Sequence, residues 1–208
     1  MKAALKNDWY SLRFMLLIMS ILCVLLVEVY TITPSDGFFE IASPILYTAF
    51  IPIALYMIDE RSKWGSFAAG LPGKRSAYIH AKYIAGIVSI LLAMAVSIIC
   101  CLVRVFVTGQ NETDGQIPVF MLGFAAALMM CSVFLPSVTR FGARIGIILY
   151  LILITLCGII AGYMEAMMED GELAAPDYYF SLPVVGAAVI IYLLSWLITL
   201  QIYKNMEL

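Results

Sequence analysis

The residues that could carry metal or acid–base chemistry are few in this sequence. His80 is the only histidine. The five cysteines are Cys23, Cys100, Cys101, Cys131 and Cys157. All five lie in apolar stretches, where cysteine behaves as a small core residue, and none has neighbouring ligands at metal-site spacing. We therefore predict no metal site. A single histidine also does not supply the set of residues that zinc proteases and Ser-His hydrolases use.

The nearest approach to a phosphate-binding loop is residues 70–75. A loop of the form G-x-x-x-x-G-K-[ST] holds phosphates with its backbone N–H groups. This sequence has Ala68 where the first glycine belongs and Arg75 where Ser or Thr belongs. We therefore expect that the chain is not an enzyme and does not hydrolyse ATP itself.

The composition is that of a membrane protein. Of 208 residues, 63% are apolar and 12% are charged, whereas about 25% are charged in soluble domains. Twelve Lys and Arg against fourteen Asp and Glu give a net charge of −2, which provides no basic field for nucleic acid. Membrane lipid is an expected partner, and nucleic acid is not.

Six apolar stretches are interpreted as membrane-spanning helices. They are residues 14–27, 41–58, 83–103, 117–139, 145–164 and 178–203. The first is short and follows basic residues, as in a signal peptide, but no A-x-A cleavage pattern comes after it, so we expect it to be retained. The sequence predicts an all-α, polytopic membrane protein, with residues 1–208 forming a single transmembrane domain of six helices.

The basic residues predict the orientation of these spans. Eleven of the twelve lie before the first span, between the second and third, between the fourth and fifth, or after the sixth. Only Arg104 lies in an outer connection, whereas those connections carry nine acids. Positive residues accumulate on the cytoplasmic side of membrane proteins. We therefore expect a protein of the cytoplasmic membrane with both termini in the cytoplasm.

The inner connection, residues 59–82, carries an amphipathic pattern. Asp59 and Glu60 suit the positive end of a helix, and Trp64, Phe67 and Leu71 then follow at helical spacing on one face. Such a face either rests on the bilayer surface or docks into a groove on a soluble partner. The stripe by itself favours neither.

Two ionisable residues fall within or near the spans. Glu28 lies about 21 Å along the first helix and Arg104 about 31 Å along the third, at a rise of 1.5 Å per residue. Charges at membrane depth are candidates for function. An ion pair between the two, a water-filled vestibule around Glu28, and simple snorkelling to the interface remain alternatives.

Prolines and glycines indicate how two of the helices are built. Pro44 and Pro52 predict a kink in the second span. In the fifth helix, the glycines Gly142 and Gly146, then Gly158 and Gly162, repeat the G-x-x-x-G spacing. That spacing is typical of close helix packing, either within the chain or between subunits.

Three stretches of the sequence resemble small bacterial type-2 ABC-transporter permeases. The run 58–64 (IDERSKW), followed by Leu71-Pro72, Lys74-Arg75 and Lys82-Tyr83, looks like the family's D-E-x-S-K-W … L-P-x-x-R-x-x-x-x-x-K-Y signature. The opening residues 2–12 and the closing residues 195–208 (SWLITLQIYKNMEL) are similar to the family's two ends. Gly65 and Gly73 depart from the usual pattern. The resemblance extends to members that export cytolytic amphipathic peptides of the phenol-soluble modulin kind.

The resemblance implies an ATP-driven exporter. Such permeases form a dimer, of identical or paralogous subunits, on which two separate nucleotide-binding subunits carry ATP and Mg²⁺, so this chain itself holds no cofactor. The loop after the second span is then the coupling helix: Trp64, Phe67 and Leu71 would dock, and Asp59, Glu60, Arg61 and Lys63 would orient the contact. The first and fifth helices would form the subunit interface. Amphipathic or hydrophobic molecules such as peptides are the expected substrates.

Two other functions compete with this interpretation. An ion-coupled secondary transporter would need ionisable groups at the midplane and repeated halves, and neither is evident in the sequence. A non-transporting scaffold or immunity protein would keep the same topology but would tolerate loss of the amphipathic stripe.

Overall fold

The regular structure of the chain is helical wherever it is described. The computed structural model describes residues 13, 17, 18, 21, 38–63, 76–108, 116–169 and 178–205. Its helices are α1 (Phe38–Thr48), α2 (Ile51–Ser62), α3 (Ser76–Thr108), α4 (Gln116–Phe141), α5 (Ala143–Glu169) and α6 (Tyr178–Asn205). In these residues five helical stretches are long and apolar enough to cross a membrane, with α1 and α2 together counted as one. Five of the six predicted spans are thus confirmed, and of the first only residues 17, 18 and 21 are described, which are helical.

The second span is broken in the middle, as its prolines predict. Ala49 and Phe50 form a tight turn between α1 and α2, with N–H groups bonded three residues back, to Leu46 and Tyr47. Pro52 is in the first turn of α2, where a missing N–H costs little because that group has no partner within the helix. The break therefore falls just before Pro52, and Pro44 remains inside α1.

Helix α4 is the centre of the bundle. It contacts α1, α2, α3, α5 and α6, and it packs most extensively on α6. Within the chain 61% of its apolar stretch is buried, compared with 17% for α5. The core around it includes large, fully buried side chains such as Phe134, Leu135 and Ile45.

Among the described residues, the outer surfaces of α3, α5 and α6 are apolar and exposed. On α5 the exposed side chains include Ile148, Leu151, Ile152, Leu156, Ile159 and Ile160. An apolar surface of this extent is stable only against lipid or another apolar surface. This agrees with the membrane assignment from composition.

Candidate functional site

The last turn of α2 and the first turns of α3 are joined by a buried ion pair. Lys82 Nζ lies 2.6 Å from Asp59 Oδ2, and the Tyr78 hydroxyl donates to the same oxygen at 2.8 Å. The Lys82 side chain has no exposed surface and that of Asp59 is 4% exposed. Charges that are buried so completely are tolerated only when they are paired and hydrogen-bonded. We call Asp59, Lys82 and Tyr78 the loop clamp, because they hold together the two ends of the connection at residues 64–75.

Aromatic rings enclose the ammonium group of the loop clamp. Lys82 Nζ is 5.2 Å from the ring centroid of Tyr78 and 5.5 Å from that of Tyr56. Cation–π attraction is strongest when the cation is desolvated, as it is here. Tyr203 stacks on Tyr78 with centroids 6.0 Å apart, so the end of α6 also packs against the clamp.

A second polar cluster lies one position further along α3. The Tyr83 hydroxyl is 2.9 Å from Ser195 Oγ and 2.7 Å from Thr199 Oγ1 on α6. Tyr192 donates to the backbone carbonyl of Tyr83 at 2.8 Å, and Ser195 donates to the carbonyl of Ser132 on α4 at 2.7 Å. These bonds tie α3, α4 and α6 together in the buried core.

Two of the three stretches that carry the sequence resemblance therefore meet in space, and the opening stretch, residues 2–12, lies outside the described residues. Asp59 belongs to the first, Lys82 and Tyr83 to the end of the same signature, and Ser195 and Tyr203 to the closing stretch. Residues separated by more than a hundred positions in the chain become one connected structure. The C-terminal ends of α2, α4 and α6 and the N-terminal ends of α3 and α5 converge here, and we call this the basic end of the bundle.

The local position of Asp59 and Glu60 differs from the sequence expectation. They were expected to begin an amphipathic helix, but they lie in the last turn of α2, which Lys63 ends in a left-handed conformation at φ 54°. Acids are unfavourable at a helix C-terminus, where the dipole is negative. Partners from other helices offset this unfavourable placement: Lys82 for Asp59 and the N–H of Ala143 for Glu60. These partners lie far away in the sequence, so the local pattern does not indicate them.

The Glu60 carboxylate accepts a hydrogen bond from the first residue of α5. The N–H of Ala143 donates to Glu60 Oε1 at 2.7 Å, which places a negative charge at the positive end of that helix. Gly142 is the single residue between α4 and α5 and has φ +87°. A Cβ at Gly142 would lie 3.1 Å from Glu60 Oε1. Both the backbone conformation and the close carboxylate therefore require glycine here.

The other glycines of the G-x-x-x-G series have different surroundings. Gly146 is buried, and a Cβ there would collide with Val138 of α4, so it serves a contact within the chain. Gly142 lies before α5 and not inside the fifth span. Gly162 is exposed, with nothing within 4 Å of an added Cβ, and Gly158 is partly buried. A contact of the last two with another subunit stays a prediction.

The remaining predicted site residues are only partly covered by the structure. Arg61 and Lys63 are exposed beside the loop clamp. Arg104 lies in the last two turns of α3, at the opposite end from Lys82, and the position of its side chain is not described. Trp64, Phe67, Leu71 and Glu28 lie outside the described residues, so the docking stripe and the Glu28–Arg104 pair stay predictions.

The described contacts at the basic end join helices to one another. The described residues contain no group of three or more His, Cys, Asp and Glu side chains that could hold a metal ion. The Lys82 ammonium and the Tyr78 hydroxyl meet at one carboxylate oxygen of Asp59, and the ion pair lies away from solvent. Such an arrangement fixes helices relative to one another.

A protein-family comparison decides what kind of transmembrane bundle this is. The model of the ABC-2 family transporter proteins matches residues 5–204. The chain therefore belongs to the ABC-2 transporter family. No curated protein and no solved structure matches it.

Family membership gives this ABC-2 protein a function and a type of partner. It is a multi-pass membrane permease of an ABC exporter, surrounded by lipid and paired with an ABC ATPase subunit. ABC-2 permeases are transport components and in general carry no catalytic activity of their own.

Sequence reasoning missed Lys82 and Tyr78 as site residues of this ABC-2 protein. In the sequence pattern, Lys82 is one more inner basic residue and part of the signature, and nothing there points to its pairing with Asp59. A usable signal was present: Tyr78 and Lys82 are four residues apart and so share one face of α3, and an unpaired acid stands at the other end of the same connection.

Proposed function

We propose that this permease couples ATP hydrolysis to export through residues 59–82 at the basic end. Two such subunits, identical or paralogous, would form the pathway, and two nucleotide-binding subunits carrying ATP and Mg²⁺ would dock beneath them. Both termini and the basic end would then face the cytoplasm, in the bacterial cytoplasmic membrane. The support for this orientation is the positive-inside distribution of eleven basic residues.

The loop clamp is the observation that supports coupling most directly. A connection that transmits force must be anchored firmly where it meets the spans. Asp59 and Lys82 anchor the ends of the connection at 64–75 through an ion pair of 2.6 Å. Because both groups are buried, water does not compete for the pair as it does at a surface. A push on the connection would therefore move α2 and α3 together.

The proposed substrate is an amphipathic or hydrophobic molecule such as a peptide of the phenol-soluble modulin kind. The support is the resemblance of the sequence to exporters of such peptides and the large apolar outer surface of α3, α5 and α6. A substrate that partitions into the membrane could reach a pathway bounded by such surfaces. Transport of a fluorescent amphipathic helical peptide into inside-out proteoliposomes tests this assignment.

The first experiment is purification of the tagged permease from native membranes in mild detergent, with mass identification of the chains that accompany it. The proposal expects a soluble chain with a G-x-x-x-x-G-K-[ST] loop. A permease that purifies alone while folded would favour an ion-coupled transporter or a scaffold instead.

The Trp64→Ala variant then tests the coupling segment. Loss of the proposed docking side chain should reduce transport per ATP hydrolysed at least tenfold, as expected for an aromatic anchor of an interface, while membrane insertion is unchanged. The matched control is Tyr179→Ala, which removes a 90% exposed aromatic side chain from the opposite end of the bundle. Wild-type coupling in the Trp64 variant would contradict the proposal.

A further inference from the structure

Two neighbouring acids at the end of α2 bind two different helices. Asp59 pairs with Lys82 of α3, whereas Glu60 accepts the N–H of Ala143 at the start of α5. Consecutive side chains on a helix point about 100° apart, so one turn of α2 reaches neighbours on two sides. The end of α2 is thus connected to α3 by one residue and to α5 by the next.

The link between α4 and α5 leaves little slack at the point where Glu60 binds. A single residue, Gly142, joins the two helices, and its N–H donates to the carbonyl of Val138 at 2.9 Å. One turn into α5, Gly146 packs so closely on Val138 that no side chain would fit. A displacement of the first residue of α5 is therefore passed to the helix as a whole.

The two acids differ in how easily their bonds can open. Asp59 is 3% exposed, and opening its pair would leave two buried charges. Glu60 is exposed, so water can take the place of the Ala143 N–H when the carboxylate moves away. A bond that is short but accessible to water suits a contact that forms and breaks during a cycle.

We propose that Glu60 is a positioning residue that transmits movement of the 64–75 connection to α5. The proposal rests on the proposed function, because it requires an ATPase subunit to act on that connection. It also separates Glu60 from Arg61 and Lys63: Glu60 acts inside the permease and is not part of the surface that the ATPase contacts. Helix α5, the least buried of the spans in the described residues, is the element that Glu60 would move.

The test follows α5 directly, in the full complex with the nucleotide-binding subunits. A spin label at Ile148→Cys reports on α5, and one at Ile99→Cys reports on α3, in a background without the five native cysteines. Both positions are exposed, by 57% and 59%, so the labels disturb packing equally little. The measured quantity is the change in the label's spectrum between the ATP-bound and ADP-bound complex.

In the otherwise wild-type complex, we expect ATP to change the signals of both labels. In Glu60→Ala, the change at position 148 should fall at least fivefold, while the change at position 99 persists because the loop clamp is intact. Transport of the amphipathic peptide per ATP hydrolysed should fall tenfold or more, as loss of a hydrogen bond to a charged group allows. Glu60→Gln keeps a carbonyl oxygen that can accept the N–H, so its response should lie between those of wild type and Glu60→Ala.

Several results would overturn the proposal. Two concern the labels in Glu60→Ala: an ATP-dependent change at position 148 as large as in the wild type, or an equal loss of that change at positions 148 and 99. A third is the absence of any ATP-dependent change at position 148 in the wild type. The others are failure of the Glu60→Ala variant to fold and loss of ATPase binding by that variant. The last would make Glu60 a docking residue. Arg144→Gln, which changes an exposed charge on the first turn of α5, is the control and should respond as wild type.

The same samples distinguish failure of this proposal from failure of the proposed function. If no ATPase subunit purifies with the permease, or if Trp64→Ala couples normally, the proposed function fails. If Trp64→Ala uncouples and Glu60→Ala does not, the coupling segment stands and only the role of Glu60 is refuted.

Discussion

Removing either charge of the loop clamp should destabilise the permease strongly. At 2.6 Å, two unit charges attract each other by about 6 kcal/mol at an effective dielectric constant of about 20. Desolvation offsets part of this attraction, and removal of one partner from a buried pair costs about 3–5 kcal/mol. We therefore expect Asp59→Asn and Lys82→Met each to lower the free energy of unfolding, with Asp59→Asn nearer 3 kcal/mol because its amide oxygen can still accept from Lys82.

The double variant separates the pair from other effects. Once both charges are gone, neither is left buried and uncompensated, so Asp59→Asn/Lys82→Met should cost about 3 kcal/mol less than the sum of the single variants. Unfolding of the purified permease by SDS titration in mixed micelles measures all three. Lys204→Met is the matched control, since Lys204 is exposed at the same end of the bundle, and it should cost less than about 0.5 kcal/mol. Single costs that add within about 0.5 kcal/mol in the double variant would refute the argument.

Two further changes test the geometry around the clamp. Gly142→Ala should lower the free energy of unfolding by about 1–2 kcal/mol, because φ is +87° and the new Cβ would crowd Glu60. The control is Gly162→Ala, in open space on α5, which should be neutral or stabilising by about 1 kcal/mol. Equal effects of the two substitutions would contradict a special requirement for glycine at position 142. Tyr83→Phe should cost about 1–2 kcal/mol by removing the hydroxyl between Ser195 and Thr199. Tyr163→Phe, on a 65% exposed ring, should cost almost nothing in the same SDS titration, and a comparable loss would argue against the buried network.

The architecture of the spans could be predicted because the membrane imposes simple rules on sequence. An apolar stretch of suitable length between charges must form a helix there, since no water is present to bond an exposed backbone. The predicted spans from residue 83 onward therefore agree with α3 to α6, with differences at their ends. The break in the second span followed from Pro52, because proline cannot donate the bond that an unbroken helix would need.

The local role of Asp59 and Glu60 was predicted wrongly for a physical reason. Acids followed by an apolar stripe are typical of a helix start, and nothing in the local sequence contradicts that reading. Their true position at the end of α2 is stable only because Lys82, Tyr78 and the N–H of Ala143 come from other helices. Propensity is a weak signal when tertiary partners of this strength are available.

By itself, the sequence determined the class of the molecule, five of its membrane spans and, through its motifs, its family. Periodicity, charge distribution and proline positions act over one helix, so they can be read along the chain. Only the tertiary structure decided which residues pair: Asp59 with Lys82, Glu60 with Ala143, and Tyr83 with Ser195. Each of these contacts depends on how helices cross and rotate around α4, and that is fixed by the packing of the whole bundle.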